Sequence, residues 1–210
     1  MKKLLCFMLI LGLVICAAGG AAADIVTQYK SEQSESYIWH LLRALTGSPQ
    51  IASGITAMFW RESFFQSDIC GGDYLLLENI SSPFTEVIND TLKTGESKDL
   101  FIKKIHYEYG GYGLCQWSDL AGLERFYAFA QSYGGDSIAC AKMQCCFIVQ
   151  DIKHIYPELW KELKQIKHPG TVGKLLATYY EGSSGIEYVG EISYILYEKY
   201  TNNKLHLKLQ

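Results

Sequence analysis

The sequence has few prolines, no clustered basic patch and, beyond its N-terminus, no long apolar run. Only 4 of 210 residues are proline and 49% are hydrophobic, which excludes a disordered chain. The formal net charge is −3, and Lys and Arg are scattered along the chain, so nucleic acid is not an expected partner. The chain also has no internal repeat, which excludes a repeat architecture.

The N-terminus carries two lysines, an apolar run over residues 4–16 and three alanines ending at Ala23. This pattern predicts a signal peptide over residues 1–23 and a secreted product, whether extracellular, periplasmic or lumenal. The apolar run is shorter than the roughly 20 residues that span a bilayer, so we expect no stable membrane anchor. Residues 24–210 are expected to form a single domain and a monomer.

Five cysteines follow the predicted signal peptide, at positions 70, 115, 140, 145 and 146. An exported protein meets an oxidising compartment, where thiols pair. The simplest arrangement leaves Cys115 unpaired in its apolar segment and forms two disulfides from the other four, in a pairing that the sequence leaves open. Two glycosylation sequons, at Asn79 and Asn89, mark an exposed segment if the source is eukaryotic.

Helical periodicity dominates and predicts a mainly α protein. The first helix is expected over residues 36–46, and Ser48 followed by Pro49 predicts the start of the next. Residues 71–105 form the least regular stretch and are expected to be a surface excursion, with a short helix opened at Ser82-Pro83. Residues 201–210 are expected to be a flexible tail.

Aromatic residues and glycines alternate over residues 106–117, which favours a small β hairpin. Beyond it the helical period returns, with helix starts expected at Asp119, Pro157, Thr171 and near Ile186. The predicted fold is therefore a helical bundle behind a hairpin.

Glu62 is the most informative candidate for chemistry. Apolar side chains at positions 51, 55, 58 and 59 form a stripe along one helix, and position 62 is its next step, so the carboxyl is expected to face inward. Burial and the C-terminal end of the helix both disfavour the charged form, and a proton held near neutral pH is what a general acid needs. The alternative is an ordinary ion pair with Arg61 or Arg43, or a side chain turned to solvent.

Two motifs resemble a known family. Glu62-Ser63, followed by Gly-Tyr-Gly-Leu-Cys-Gln-Trp over residues 111–117, is similar to the pattern of phage tail lysozymes, whose wider superfamily includes goose-type lysozymes and lytic transglycosylases. The likeness continues through Leu123–Ala128, Gln144 and Asp151-Ile152, and ends at Tyr179-Tyr180-Glu181.

The resemblance implies an α+β lysozyme-like fold, in which a helix end carries the acid and a hairpin forms the opposite wall of a glycan cleft. It implies a peptidoglycan hydrolase that cleaves between N-acetylmuramic acid and N-acetylglucosamine without a cofactor or metal. The hairpin glycines would let a glycan strand approach the backbone. The implied substrate-binding residues are Ser63, Tyr112, Gly113, Gln116 and Tyr180, whereas Trp117 is expected to pack in the core.

Hydrolysis with inversion also needs a second carboxylate that positions water. Glu108 and Asp119 are the candidates, and Glu108 is preferred because Asp119 is well placed to cap the following helix. If neither reaches the cleft, a lytic transglycosylase that uses Glu62 alone becomes the better interpretation.

Three alternatives remain at this stage. Cys115 with His106 or His154 could form the nucleophile and base of a cell-wall peptidase. Zinc bound by Cys145, Cys146 and His154 is weaker, because the usual spacing between cysteine ligands is missing. The chain could also be a glycan-binding relative without turnover.

Overall fold

The computed structural model describes residues 35–67, 98–133, 138–182 and 185–202, and these are mainly helical, as the sequence predicts. The helices are α1 (residues 35–46), α2 (Pro49–Ser63), α3 (Lys98–Lys103), α4 (Leu120–Ser132), α5 (Ala141–Ile155), α6 (Pro157–Leu163), α7 (Pro169–Leu176) and α8 (Ile186–Thr201); two π-helical turns cover Lys104–Tyr109 and Ala177–Glu181. None of the described helices combines the length and apolarity needed to cross a lipid bilayer.

Local signals account for where the helices begin. The Ser48 hydroxyl accepts a hydrogen bond from the Ile51 N–H at 3.3 Å, and the Asp119 carboxylate accepts one from the Gly122 N–H at 2.7 Å, so each caps its helix. The predicted starts at Pro157 and Ile186 are confirmed, and α7 begins two residues before the predicted Thr171.

Helix α2 lies in the centre of the fold. Every residue from position 51 to position 59 is buried, and α2 packs against α7 and α8. Gly54 allows the close approach of α7, because an added Cβ would lie 2.9 Å from side-chain carbons of both Val172 and Leu176. Neighbours on all sides therefore fix α2, and with it the side chains on its last turn.

The second π-helical turn continues α7 to Glu181 and is capped by Gly182, whose φ of 65° is in the left-handed region that favours glycine. It brings Glu181 beside Arg61 at the end of α2, although 120 residues separate them in the sequence. Single π-helical turns of this kind are common at functional sites.

In place of the expected hairpin, the described residues contain one isolated antiparallel bridge, between Tyr112 and Trp117. The residues before it, Lys104–Tyr109, are π-helical rather than extended. Gly110, Gly111 and Gly113 all have positive φ, a conformation that glycine adopts readily in turns. The described residues therefore show a single bridge in this segment and do not show the predicted hairpin.

Little of the predicted surface excursion is described. Its last residues, 98–105, have one face in the core, with Phe101, Ile102 and Ile105 buried, and one face in solvent, with Lys98, Asp99 and Lys103 exposed. The short helix expected at Ser82-Pro83 and both sequons lie outside the described residues, as do the predicted signal peptide and residues 203–210 of the expected tail.

Four of the five cysteines that follow the predicted signal peptide are described, at positions 115, 140, 145 and 146, and all four are free thiols. The described residues therefore do not show the expected disulfides, and Cys70 lies outside the described residues. Cys145 is fully buried in the core. The next residue on α5, Cys146, points about 100° away around the helix, so the two thiols face different surroundings.

Candidate active site

A cleft of about 480 Å³ lies at the C-terminal end of α2. Its walls come from five parts of the described chain: the last turn of α2, the turn after Gly113, the start of α4, Tyr156 between α5 and α6, and the second π-helical turn. The lining residues are Arg61, Glu62, Cys115, Gln116, Trp117, Ser118, Asp119, Gly122, Arg125, Tyr156, Tyr179, Tyr180, Glu181 and Gly182.

Glu62 lines this cleft with its side chain only 24% exposed. Burial raises the pKa of the carboxyl, and the adjacent Arg61 lowers it by a smaller amount. One Glu62 carboxylate oxygen lies 3.4 Å from the Arg61 guanidinium. The inward-facing carboxyl and the ion pair with Arg61 are thus both present, although the sequence offered them as alternatives.

Arg61 links Glu62 to a second carboxylate. The same guanidinium nitrogen, Nη1, lies 3.3 Å from an oxygen of Glu181, whose side chain is 6% exposed. The Cys115 sulfur lies 4.0 Å from the other Glu181 oxygen. The cleft therefore contains a pair of acids that share one cation.

The turn opposite Glu62 is held by side chains of the protein itself. The Ser63 hydroxyl oxygen lies 2.9 Å from the Phe59 carbonyl oxygen and 3.0 Å from the Leu114 carbonyl oxygen, and it can donate its hydrogen bond to either. The Leu114 N–H donates to the Gln144 side-chain oxygen at 2.8 Å. Ser63 therefore joins the end of α2 to the turn, and it is fully buried rather than available to a sugar.

Glycine at position 113 serves the packing of this turn. An added Cβ would lie 2.6 Å from the Gln144 side-chain oxygen, at a φ of 75° that L-residues rarely adopt. Gly113 is buried, and it does not line the cleft. Gln144 occupies the space beside Gly113, and the predicted approach of a glycan strand at this glycine stays a prediction.

The two tyrosines that were predicted to bind sugar, Tyr112 and Tyr180, differ in whether they reach the cleft. Tyr112 is fully buried, so its ring cannot stack on a sugar. Tyr180 lines the cleft, but its hydroxyl donates to the Asp151 carboxylate at 3.0 Å and accepts a hydrogen bond from the Trp117 indole at 3.1 Å. Burial, together with Cys115 and Asp151, raises the pKa of Tyr180.

Trp117 packs in the core as predicted, stacked on the Phe126 ring with centroids 4.8 Å apart. Gln116 lines the cleft, with its side-chain amide donating to the Gly113 carbonyl at 2.9 Å. As an amide, the Gln116 side chain has both donor and acceptor groups that a substrate in the cleft could contact.

The two candidates for the second carboxylate differ in position. Glu108 is exposed on the first π-helical turn and does not line the cleft. Asp119 does line it, while capping α4 with one oxygen. The preference for Glu108 is therefore not supported, because the π-helical turn directs residues 104–109 along a different path from the expected strand.

Several cleft residues received no role from the sequence: Glu181, Arg125, Tyr156 and Tyr179. Arg125 binds Asp151 with two nitrogens, at 2.6 and 3.1 Å, in the wall beneath the cleft. The Tyr179 ring is 58% exposed and can stack on a pyranose. The sequence did contain a signal that could have identified Glu181 as a site residue, since Tyr179-Tyr180-Glu181 is part of the family resemblance.

The cysteine alternatives lack the geometry that they need. Burial, with Glu181 as the next largest cause, raises the pKa of Cys115, which disfavours the reactive thiolate. His106 lies 2.5 Å from the Ser118 carbonyl and His154 lies 2.7 Å from the Gln150 carbonyl, and neither lines the cleft. Among the described residues, no three His, Cys, Asp or Glu side chains are grouped to hold a metal ion.

Comparison with known proteins adds one finding to this geometry. The family model of phage tail lysozymes matches residues 33–200, which include every wall of the cleft. No curated protein and no solved structure gives a significant match. The family indicates a glycosidase-type enzyme with lytic activity on peptidoglycan in general. Because the match covers most of the sequence, this chain belongs to the phage tail lysozyme family.

Proposed function

We propose that this protein is a secreted peptidoglycan hydrolase that cleaves the β-1,4 bond between N-acetylmuramic acid and N-acetylglucosamine, with Glu62 as the general acid. The observation that carries the proposal is the half-buried Glu62 carboxyl in an open cleft, with a pKa raised by burial. Such a carboxyl can donate its proton to the glycosidic oxygen as the bond to the anomeric carbon breaks.

The anomeric carbon must then be attacked by water or by a sugar hydroxyl. Asp119 is the candidate base for water, because it is exposed and lines the same cleft as Glu62. One oxygen of the Asp119 carboxylate would accept the proton of the attacking water while the other oxygen caps α4. The sugar would be held by hydrogen bonds to Gln116 and by stacking on Tyr179.

The second candidate function is that of a lytic transglycosylase, which the capping role of Asp119 favours. In that reaction a hydroxyl of the muramic acid itself attacks the anomeric carbon, and Glu62 alone moves the protons. Mass spectrometry of fragments released from purified peptidoglycan separates the two, since hydrolysis leaves reducing-end sugars and transglycosylation leaves anhydro sugars.

The test of the general acid compares Glu62→Gln with Glu108→Gln, a matched substitution at an exposed glutamate outside the cleft. We expect Glu62→Gln to reduce the clearing of a bacterial cell-wall suspension by about 10²–10⁴-fold, the usual contribution of general acid catalysis. Glu108→Gln should clear the suspension at the normal rate.

Binding of purified peptidoglycan completes the test, because both variants should sediment with it like the unaltered protein. A Glu62→Gln variant that still clears the suspension rules out the acid. A protein that binds peptidoglycan but releases no fragments, with or without Glu62, is a glycan-binding relative.

A further inference from the structure

The Arg61 guanidinium is fixed between two acids and a backbone. It contacts Glu62 at 3.4 Å and Glu181 at 3.3 Å through one nitrogen. On another side it packs against Gly185, where an added Cβ would lie 2.8 Å from the Arg61 Nε. The guanidinium therefore has little room to move, and the balance between its two ion pairs is set by the surrounding structure.

Glu181 is the more buried partner of Arg61, with 6% of its side chain exposed against 24% for Glu62. A buried carboxylate depends on its ion partner, because no water replaces it. Without Glu181, the charge of Arg61 would act more strongly on Glu62 and would favour the ionised carboxylate. An ionised Glu62 has no proton to donate.

The other charged and titratable groups around Glu62 do not replace Glu181. Cys115 faces it from the turn as a buried thiol, and burial raises the pKa of Cys115, which keeps it neutral. Asp119 and Arg125 line the cleft from α4, where the Asp119 carboxylate caps the helix and Arg125 is paired with Asp151.

We propose that Glu181 is a positioning residue for the general acid: by holding the Arg61 guanidinium, it weakens the ion pair between Arg61 and Glu62, so that the Glu62 carboxyl remains available as a proton donor. This inference rests on the proposed function for its meaning in catalysis. Its physical content is a coupling between Glu181 and the protonation of Glu62 through Arg61.

The test measures the rate of cell-wall lysis against pH for Glu181→Gln, Arg61→Gln and the double variant. We expect Glu181→Gln to move the alkaline limb of the profile to lower pH by about one unit, with a roughly 10-fold loss of rate on that limb and little loss in acid. Arg61→Gln should move the limb to higher pH. The alkaline limb of the double variant should lie at or above that of the unaltered protein, because the Arg61 cation is gone.

A readout independent of substrate is the titration of the Glu62 carboxyl by ¹³C NMR, with its signal assigned by its loss in Glu62→Gln. We expect the titration midpoint of Glu62 to be lower in Glu181→Gln than in the unaltered protein and higher in Arg61→Gln. If the midpoints shift as expected but no peptidoglycan is cleaved, the proposed function fails and the coupling stands.

Three results would overturn the inference. The first is an alkaline limb that Glu181→Gln leaves in place. The second is an equal loss of rate at every pH, which would make Glu181 a direct participant in the reaction. The third is a double variant that behaves like Glu181→Gln, which would exclude action through Arg61. If Glu181→Gln does not fold, Arg61→Gln alone decides, since an unmoved limb in that variant contradicts the coupling.

Discussion

At the scale of single residues, burial of Glu62 serves function and weakens the fold. The carboxyl faces the cleft at the end of a buried helix, and partial loss of water around it raises its pKa. A proton donor gains from that shift. The folded state, however, holds an incompletely solvated charge whenever Glu62 is ionised.

The corresponding prediction concerns stability against pH. Because the folded-state pKa of Glu62 lies above the ordinary value of 4.5, its contribution to stability is fully present below pH 4.5 and is lost as the pH rises through the raised pKa. Glu62→Gln should therefore raise the melting temperature at neutral pH by about 2–4 °C, equivalent to about 1 kcal/mol.

Thermal unfolding at pH 4 and at pH 7 checks this, with Glu108→Gln as the exposed control. The gain should be largest at pH 7 and small at pH 4. A Glu62→Gln variant that is less stable than the unaltered protein at neutral pH would show that the ion pair with Arg61 outweighs desolvation.

At the scale of structural elements, Gln144 on α5 assembles the wall opposite the acid. Its amide oxygen accepts from the Leu114 N–H, and its amide nitrogen lies 2.7 Å from the Ser67 carbonyl and 2.8 Å from the Ile138 carbonyl. One buried side chain thus connects three segments, and a buried polar network of this kind tolerates no missing member.

We predict that Gln144→Leu lowers the free energy of unfolding by several kcal/mol, since each buried polar group left without a partner costs about 1–3 kcal/mol. Wall lysis should fall as well, because the turn that carries Cys115 and Gln116 loses its support. Urea denaturation measures the first effect. The control is Gln150→Leu, an exposed position on the same helix, which should change stability by less than about 0.5 kcal/mol. Equal effects at the two positions would contradict the assigned role of Gln144.

At the scale of the whole molecule, the net charge of the protein and the raised pKa of Glu62 both favour wall lysis at acidic pH. The chain carries a formal net charge of −3, which repels anionic bacterial surfaces at neutral pH. As the pH falls, carboxylates are protonated and this repulsion weakens. Glu62 also keeps its proton only below its raised pKa.

The resulting prediction is an acidic pH optimum for wall lysis, with activity lost as the pH rises through the pKa of Glu62. At neutral pH, moderate salt should increase the residual rate by screening the repulsion, since the Debye length falls to about 8 Å at physiological ionic strength. Turbidity measurements over a grid of pH and salt concentration test both effects. An optimum well above neutral is incompatible with this account.

The sequence by itself determined the helices and the place of the acid. Ser48-Pro49 and Asp119 are local signals that act over three or four residues, and the apolar stripe of α2 required Glu62 to face inward. Helix caps and helical periodicity depend on residues close together in the sequence, so both can be predicted without knowing which distant segments pack nearby.

Only the tertiary structure decided which side chains surround that acid. Ser63, Tyr112 and Gly113 match the family motif, yet they are buried in the packing of the turn, whereas Glu181 reaches Arg61 across 120 residues. Contacts between distant segments depend on how helices pack and where a π-helical turn redirects the chain. Those are properties of the assembled core, and no local pattern encodes them.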